Sequence, residues 1–362
     1  MHVLIAPDKF AGTLTAVEAA GAIAAGWHRQ APVDTVELVP MADGGPGFVD
    51  VLHASLGGVL LPALVRGPFG TPVEARVLLV GETAYVESAQ ACGLHLTERK
   101  EPQRATTFGV GEMLLAALAA GARRIVLGAG GSGTTDGGAG MLAALGATAD
   151  APLDAGPEGL RTVTRVDLAP ARARLRDIEL VLASDVDNPL TGLFGCAKVY
   201  GPQKGLTEEE LVAVDAVLER FAAFCDRRVS LAPGAGAAGG LGYATLLLGG
   251  TREAGLDVVA KAVGLEQRLR SADLVITGEG SFDFSSRAGK VPYGVAQLAS
   301  AALRPCITVA GQVLIGSREM RALGMDAAYS MVELIGEERS FADPSGALTD
   351  LSARVARSWS TS

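Results

Sequence analysis

Short apolar runs at residues 3–6, 36–40, 76–80, 84–88, 124–128, 178–184, 273–277, 305–310 and 327–331 alternate with stretches of helical periodicity along most of the chain. That alternation constrains the fold more than any other feature. A strand followed by a helix returns to pair in parallel, so the expected class is α/β, with helices covering mainly parallel sheets. The helical patterns cover 15–30, 107–120, 138–145, 207–227, 256–263, 291–302 and 345–358. Two of them open with a Thr-x-x-Glu box, Thr15 with Glu18 and Thr207 with Glu210, which satisfies amide donors left open at a helix start. At 362 residues the chain exceeds what one hydrophobic core usually serves, which points to two α/β lobes with a ligand cleft between them. The expected division is one lobe made from both chain ends, 1–65 and 270–362, and an inserted α/β lobe over 66–269. No fixed-period repeat is present, and 150–160, rich in Ala, Pro, Gly and acids, reads as a surface loop.

Several function classes are disfavoured. No charge-free apolar run reaches the roughly 18 residues of a membrane helix, and the first residues lack the basic and apolar regions of a secretory signal. A soluble cytoplasmic chain with no membrane partner is therefore expected. Cys92, Cys196, Cys225 and Cys306 lie far apart without a C-x-x-C pair, and the histidines are equally scattered, which argues against a disulfide framework or zinc site. A net charge of -9 with 5% aromatics disfavours nucleic acid as partner. Small molecules remain, bound by a monomer or homodimer.

Five loops pair glycine with a carboxylate, amide or amine. They are Met41-Ala42-Asp43-Gly44-Gly45, the 128–138 stretch Gly-Ala-Gly-Gly-Ser-Gly-Thr-Thr-Asp-Gly-Gly, Ser184-Asp185-Val186-Asp187-Asn188-Pro189, Gly201-Pro202-Gln203-Lys204-Gly205, and Thr277-Gly278-Glu279-Gly280-Ser281-Phe282-Asp283. Glycine lets main-chain amides approach a phosphate, and a carboxylate can hold hydrated Mg²⁺ or accept a proton. Each loop alone is an ordinary turn, since Asp and Gly are turn formers. Their recurrence after strands favours phosphoryl transfer. Lys204 and Lys290, the latter at a helix start, are the basic residues best placed for anions, beside Lys9, Lys198 and Arg287.

There is no Walker loop and no protein kinase motif. Gly128-x-Gly130-x-x-Gly133 fits the dinucleotide fingerprint, with Asp150 or Asp154 at the distance of a ribose-binding acid, which keeps an NAD(P)-dependent oxidoreductase as a competing reading. Against it, the loop runs past the third glycine instead of starting a helix at the second. Gly234-x-Gly236-x-x-Gly239 follows Pro233 and no strand, and reads as a glycine-rich helix entry.

The loops resemble those of the glycerate kinases of the bacterial glycerate 2-kinase type. The resemblance rests on Ala6-Pro7-Asp8-Lys9-Phe10-Ala11-Gly12-Thr13, Pro40-Met41-Ala42-Asp43-Gly44-Gly45, the 131–141 stretch, Asp185-Val186-Asp187-Asn188-Pro189-Leu190, Tyr200-Gly201-Pro202-Gln203-Lys204-Gly205, the 234–242 glycines and Asp273-Leu274-Val275-Ile276-Thr277-Gly278-Glu279-Gly280. It implies ATP-dependent, Mg²⁺-assisted phosphorylation of D-glycerate, usually to 2-phosphoglycerate. It also implies a Rossmann-like parallel α/β/α domain interrupted by a second α/β domain, with the active site in the interlobe cleft.

The residues then expected to act are Asp187 or Asp185 on the attacking hydroxyl and Lys204 and Lys290 against phosphate and carboxylate charge. Glu279, Asp283 and Asp136 are expected to hold Mg²⁺. Asp8, Lys9, Asp43, Gly44, Gly45, Gly131, Ser132, Thr134, Thr135, Asp136, Gly137, Asn188, Gln203, Gly278 and Ser281 are expected to bind substrate or nucleotide. Departures from the family pattern fall inside the motifs. Lys9 stands in the usual serine place and Ala11 in the usual lysine place; Pro46 replaces a glutamate, Thr135 an asparagine and Ser281 an arginine. Ser285-Ser286-Arg287-Ala288-Gly289-Lys290 shifts a guanidinium by one place. These changes bear on substrate identity more than on reaction type, and they motivate a further alternative, a non-catalytic sugar-acid or nucleotide sensor.

Overall fold

The computed structural model describes residues 1–98, 101–283 and 290–361; the 285–289 part of the shifted motif, with Arg287, lies outside the described residues. In chain order the strands are β1 (His2–Ile5), β2 (Thr35–Leu38), β3 (Val59–Arg66), β4 (Pro72–Val80), β5 (Thr83–Glu87), β6 (Arg124–Gly128) and β7 (Thr148–Ala149). They continue with β8 (Val166–Asp167), β9 (Glu179–Ala183), β10 (Thr251–Glu253), β11 (Leu274–Phe282), β12 (Cys306–Val313) and β13 (Ala327–Ser330). The chain divides into two compact units, one of residues 1–43, 50–57 and 256–362, the other of 44–49 and 58–255. The joints expected at 65/66 and 269/270 fall at the end of β3 and inside the helix Leu265–Ser271. One joint between the units falls at Gly57-Gly58, where both residues take positive φ, 66° and 97°, as the helix Phe48–Leu56 ends.

The first unit is a five-stranded, all-parallel sheet in the order β13-β12-β11-β1-β2. Its core joins Val3 and Ile5 of β1 to Ala19, Ile23 and Trp27 of the helix Ala16–Gln30 and to Leu348, Leu351 and Val355 of Pro344–Trp359. Those two helices approach so closely at Gly26 that a Cβ there would lie 2.1 Å from the Thr349 carbonyl oxygen, which explains the glycine in mid-helix. The Thr15/Glu18 box forms as expected. Asp34 ties the sheet edge to this helix, accepting from the Met1 amino group at 2.7 Å and the Trp27 indole at 2.9 Å.

The second unit carries a six-stranded sheet, β10-β9-β6-β5-β4-β3, parallel from β10 to β5 and antiparallel at β4 and β3. Neither β3 nor β10 is evident as a strand in the sequence. Pro62 interrupts β3, which tolerates it at the sheet edge, where half the backbone donors have no ladder partner. The 150–160 stretch is more than a loop: it contains the helix Gly156–Gly159 and buries Ala151, Leu153 and Leu160. The Thr207/Glu210 box opens the helix Glu208–Cys225. Among the described residues no helix is long and apolar enough to cross a membrane.

Candidate active site

In the first unit the order of strands reverses at β1, which has β2 on one side and β11 on the other. In open parallel sheets, ligands gather beyond the carboxyl ends of strands at such a point. Asp8 follows β1 and is fixed to β11, its N–H donating to the Gly278 carbonyl at 2.8 Å. The Lys9 amide donates to Asp8 Oδ1 at 2.7 Å, and Lys9 Nζ lies 3.7 Å from Asp8 Oδ1 and 3.7 Å from Asp43 Oδ1. Burial pushes the Asp8 carboxyl up to about 6; the Lys9 ammonium opposes the shift and the Asp43 carboxylate adds to it. A carboxyl so placed exchanges its proton near neutrality.

β11 runs beyond its pairing with β1 because β12 continues beside it as far as Phe282 and Val313. Alternation puts Glu279 and Ser281 on one face of this extension, with Asp283 next in the same series. Lys290 Nζ lies 3.9 Å from both Glu279 Oε2 and Asp283 Oδ1, so the two carboxylates already converge on one positive charge. Among the described residues no cluster of three or more potential ligands forms. Two carboxylates suffice for Mg²⁺, which usually takes one or two from protein and the rest from phosphate and water. Gly278 has a structural reason to be glycine, since its Cβ would meet the Val309 carbonyl oxygen at 2.2 Å.

The second unit uses its glycine loops differently. Asp136 is fully buried and accepts from Thr107 N at 2.8 Å, Thr107 Oγ1 at 2.8 Å, Gly138 N at 3.0 Å and Gly140 N at 3.2 Å. Burial raises its pKa, and these donors counter the rise. This carboxylate joins the 129–138 loop to the helix Phe108–Ala119 through these donors. Lys204 is equally enclosed, its Nζ donating to Ser132 Oγ at 3.0 Å and to the Thr134 carbonyl at 2.6 Å, and burial lowers its pKa. It fixes the shape of 132–134 from within. Thr134 and Thr135 are wholly buried. Gly137 takes φ 68° and donates its N–H to the Gly239 carbonyl at 3.0 Å.

Gly44 and Gly45 are called for by contact between backbones. A Cβ on Gly44 would lie 2.5 Å from the Ala183 carbonyl oxygen, and one on Gly130 would lie 2.6 Å from Gly45 Cα. Gly131 meets the Pro46 ring in the same way. Glu87, not singled out in the sequence, binds this segment, its Oε2 accepting from Gly47 N and Val49 N at 3.2 Å each. With nearly forty residues between partners, no local pattern could have flagged it.

Beyond β9, Asp185 Oδ1 accepts from Gly255 N at 3.0 Å, whereas Asp187 is 76% exposed and pairs with Arg252 Nη2 at 2.7 Å. Asn188 donates to the Phe194 carbonyl and accepts from the Tyr200 hydroxyl, shaping the turn after Asp187. Gln203 is exposed on the short helix Pro202–Lys204. The dinucleotide fingerprint dissolves. No helix starts between Gly128 and Ala139, Asp150 is tied to the Thr164 and Arg165 amides, and Asp154 lies 3.6 Å from Arg66, so the oxidoreductase reading loses its basis.

The model of the Glycerate kinase family matches residues 3–360. The chain belongs to the glycerate kinase family. A glycerate kinase of Bacillus subtilis is 41% identical to it over 92% of this chain and 90% of its own, and the glycerate 2-kinase of Escherichia coli is 39% identical over 93% and 92%. A crystal structure of a glycerate kinase 2 from Salmonella typhimurium LT2 superposes with a TM-score of 0.83 at 36% identity, over 99% of this chain and 98% of that one. As a member of the glycerate kinase family the chain is a phosphotransferase with an alcohol acceptor, and its small-molecule substrates include a nucleotide. Lys9 bridges Asp8 and Asp43, so a basic group faces carboxylates beyond the strand ends.

Proposed function

We propose that the chain catalyses ATP-dependent phosphorylation of D-glycerate, giving 2-phosphoglycerate, with Mg²⁺ bound to the nucleotide. The observation that carries this reading is the facing pair Glu279 and Asp283 around Lys290, on the strand next to Asp8, Lys9 and Asp43. Acids able to hold a hard cation and amines able to meet phosphate oxygens thus occur together at the switch point of a parallel sheet. Bound there, Mg²⁺ supplies charge neutralisation for the phosphate oxygens.

Within the first unit, Glu279 and Asp283 hold the cation, Lys290 and Lys9 offset phosphate charge, and Ser281 and Asp43 orient the tail. In the second unit, exposed Asp187 is the group that accepts the proton of the attacking hydroxyl, with Asp185 holding the turn through Gly255. Lys204 keeps the main-chain amides of 131–134 in the form that receives an anion. Positioning and preorganised charge supply most of the rate in such transfers.

The test is ADP release by purified protein with D-glycerate, ATP and Mg²⁺, with the product's phosphorus coupling read by NMR. ADP formation with phosphorus coupled to the C2 proton is expected. Coupling to the C3 protons would reassign the position, and thermal stabilisation by ligand without ADP would point to a sensor.

A further inference from the structure

A cavity of about 260 Å³ opens in the first unit at the carboxyl ends of β1, β11 and β12. We propose that it receives the base and ribose of the nucleotide; this rests on the reading of the chain as an ATP-using kinase and adds where the nucleoside sits.

Its floor is backbone. Gly280 and Gly311 lie so close that a Cβ on Gly311 would be 2.4 Å from the Gly280 carbonyl oxygen, leaving a flat, thin surface. Its walls are apolar: Phe10 and Met331 are buried at 2% exposure each, Val332 adds a branched face, and Phe341 stands 61% exposed at the mouth. Among the described residues no charged side chain lines it. A hydroxy acid or a triphosphate would need a cation there, whereas an uncharged planar ring stacks on such a surface. The volume lies just under the range of about 300–1,000 Å³ usual for small-molecule sites, which suits a nucleoside without its phosphates.

Among the described residues its polar side chains are Thr13, Ser281, Gln312 and Ser340. The Gln312 side-chain amide has no hydrogen-bond partner among the described residues and offers both a donor and an acceptor to a purine edge. Ser281 closes the other side and shares a strand face with Glu279, two residues or about 7 Å away, which is the direction the phosphates would take toward the metal-holding pair. The larger cavity of the second unit, about 740 Å³, lacks this character. Its Arg66 and Arg104 are already neutralised by Glu112, Asp154 and Glu101.

Photolabelling with 8-azido-ATP followed by peptide mapping tests the site without requiring turnover. Label on 331–342 or 306–313 is expected, and its competition by adenosine but not by D-glycerate. Label confined to other peptides, or none, overturns the proposal. In the ADP assay, Phe341→Ala and Gln312→Leu should each raise the KM for ATP at least about fivefold while the KM for D-glycerate moves less than about twofold. Equal changes in both constants, or none, count against the site; circular dichroism of the two variants checks that the fold is kept. Label at 331–342 in a protein that releases no ADP would leave the nucleoside site standing and remove the kinase reading. ADP release with label elsewhere would do the reverse.

Discussion

In the first unit, Asp8, Lys9, Asp43, Glu279, Asp283 and Lys290 stand beyond strand ends with pairs of opposite charge 3.7 to 3.9 Å apart, farther than a tight hydrogen bond. In the second, Asp136 in the loop after β6 and Lys204 on the short helix Pro202–Lys204 are sealed in, each held by donors or acceptors at 2.6 to 3.2 Å. Identical residue types thus serve two ends. Asp43, Asp283, Lys9 and Lys290 are partly exposed and meet charged side chains that an incoming phosphate or metal can replace; Asp136 and Lys204 hold buried backbone groups that would be left unpaired. The second set builds the loop, whereas the charges of the first face one another beyond the strand ends.

This contrast can be broken or sharpened by substitution. The largest effect is expected for Asp136→Ala, which strands two backbone donors of the glycine loop and one of Thr107; a loss of about 3–5 kcal/mol in unfolding free energy should appear in urea titration of the second unit. A loss under about 1 kcal/mol would mean that the carboxylate is not structural. Next comes Asp187→Asn. If this exposed acid takes the hydroxyl proton, kcat falls about 10²-fold or more with stability almost unchanged, since a surface pair with Arg252 is worth under about 1 kcal/mol. A fall of less than about tenfold would strip Asp187 of that role.

A smaller change is expected for Glu279→Gln, which should raise the half-saturating Mg²⁺ concentration roughly tenfold with kcat nearly recovered at high Mg²⁺. Recovery failing at any Mg²⁺ concentration would separate Glu279 from the metal. The smallest effect concerns Asp8. Its carboxyl titrates at about 6 in the folded chain against an ordinary 3.8, so the folded form holds the proton more tightly. The stability this adds is complete below about 3.8 and is lost as pH rises through about 6. If the ionised form organises Lys9, kcat/KM should decline as pH drops below about 6, and Asp8→Asn should remove that limb. An unchanged limb in the variant would assign it to another group.

Much of this was legible in the order of residues. The strand at 124–128 is found where it is expected, and both Thr-x-x-Glu boxes cap helices, because capping and apolar periodicity are local and act within a few residues. The family resemblance, carried by ordered loop motifs, agrees with the match over residues 3–360. Edge strand β3 escaped because Pro62 stands in the middle of its apolar run, while β10, three residues long, is defined only by its neighbour β9.

The sequence by itself determined the α/β class, the positions of most strands and of most longer helices, and the phosphotransferase family, since each depends on short-range chemistry or on motif order. Which acids and lysines are enclosed among distant backbone donors and acceptors was decided only by tertiary structure. Asp136 and Asp283 each sit in a Gly-rich loop after a strand, and nothing in that spacing separates them. What separates them is whether distant amides, such as that of Thr107, arrive to fill the carboxylate, a matter of packing between segments that the chain brings together from far apart.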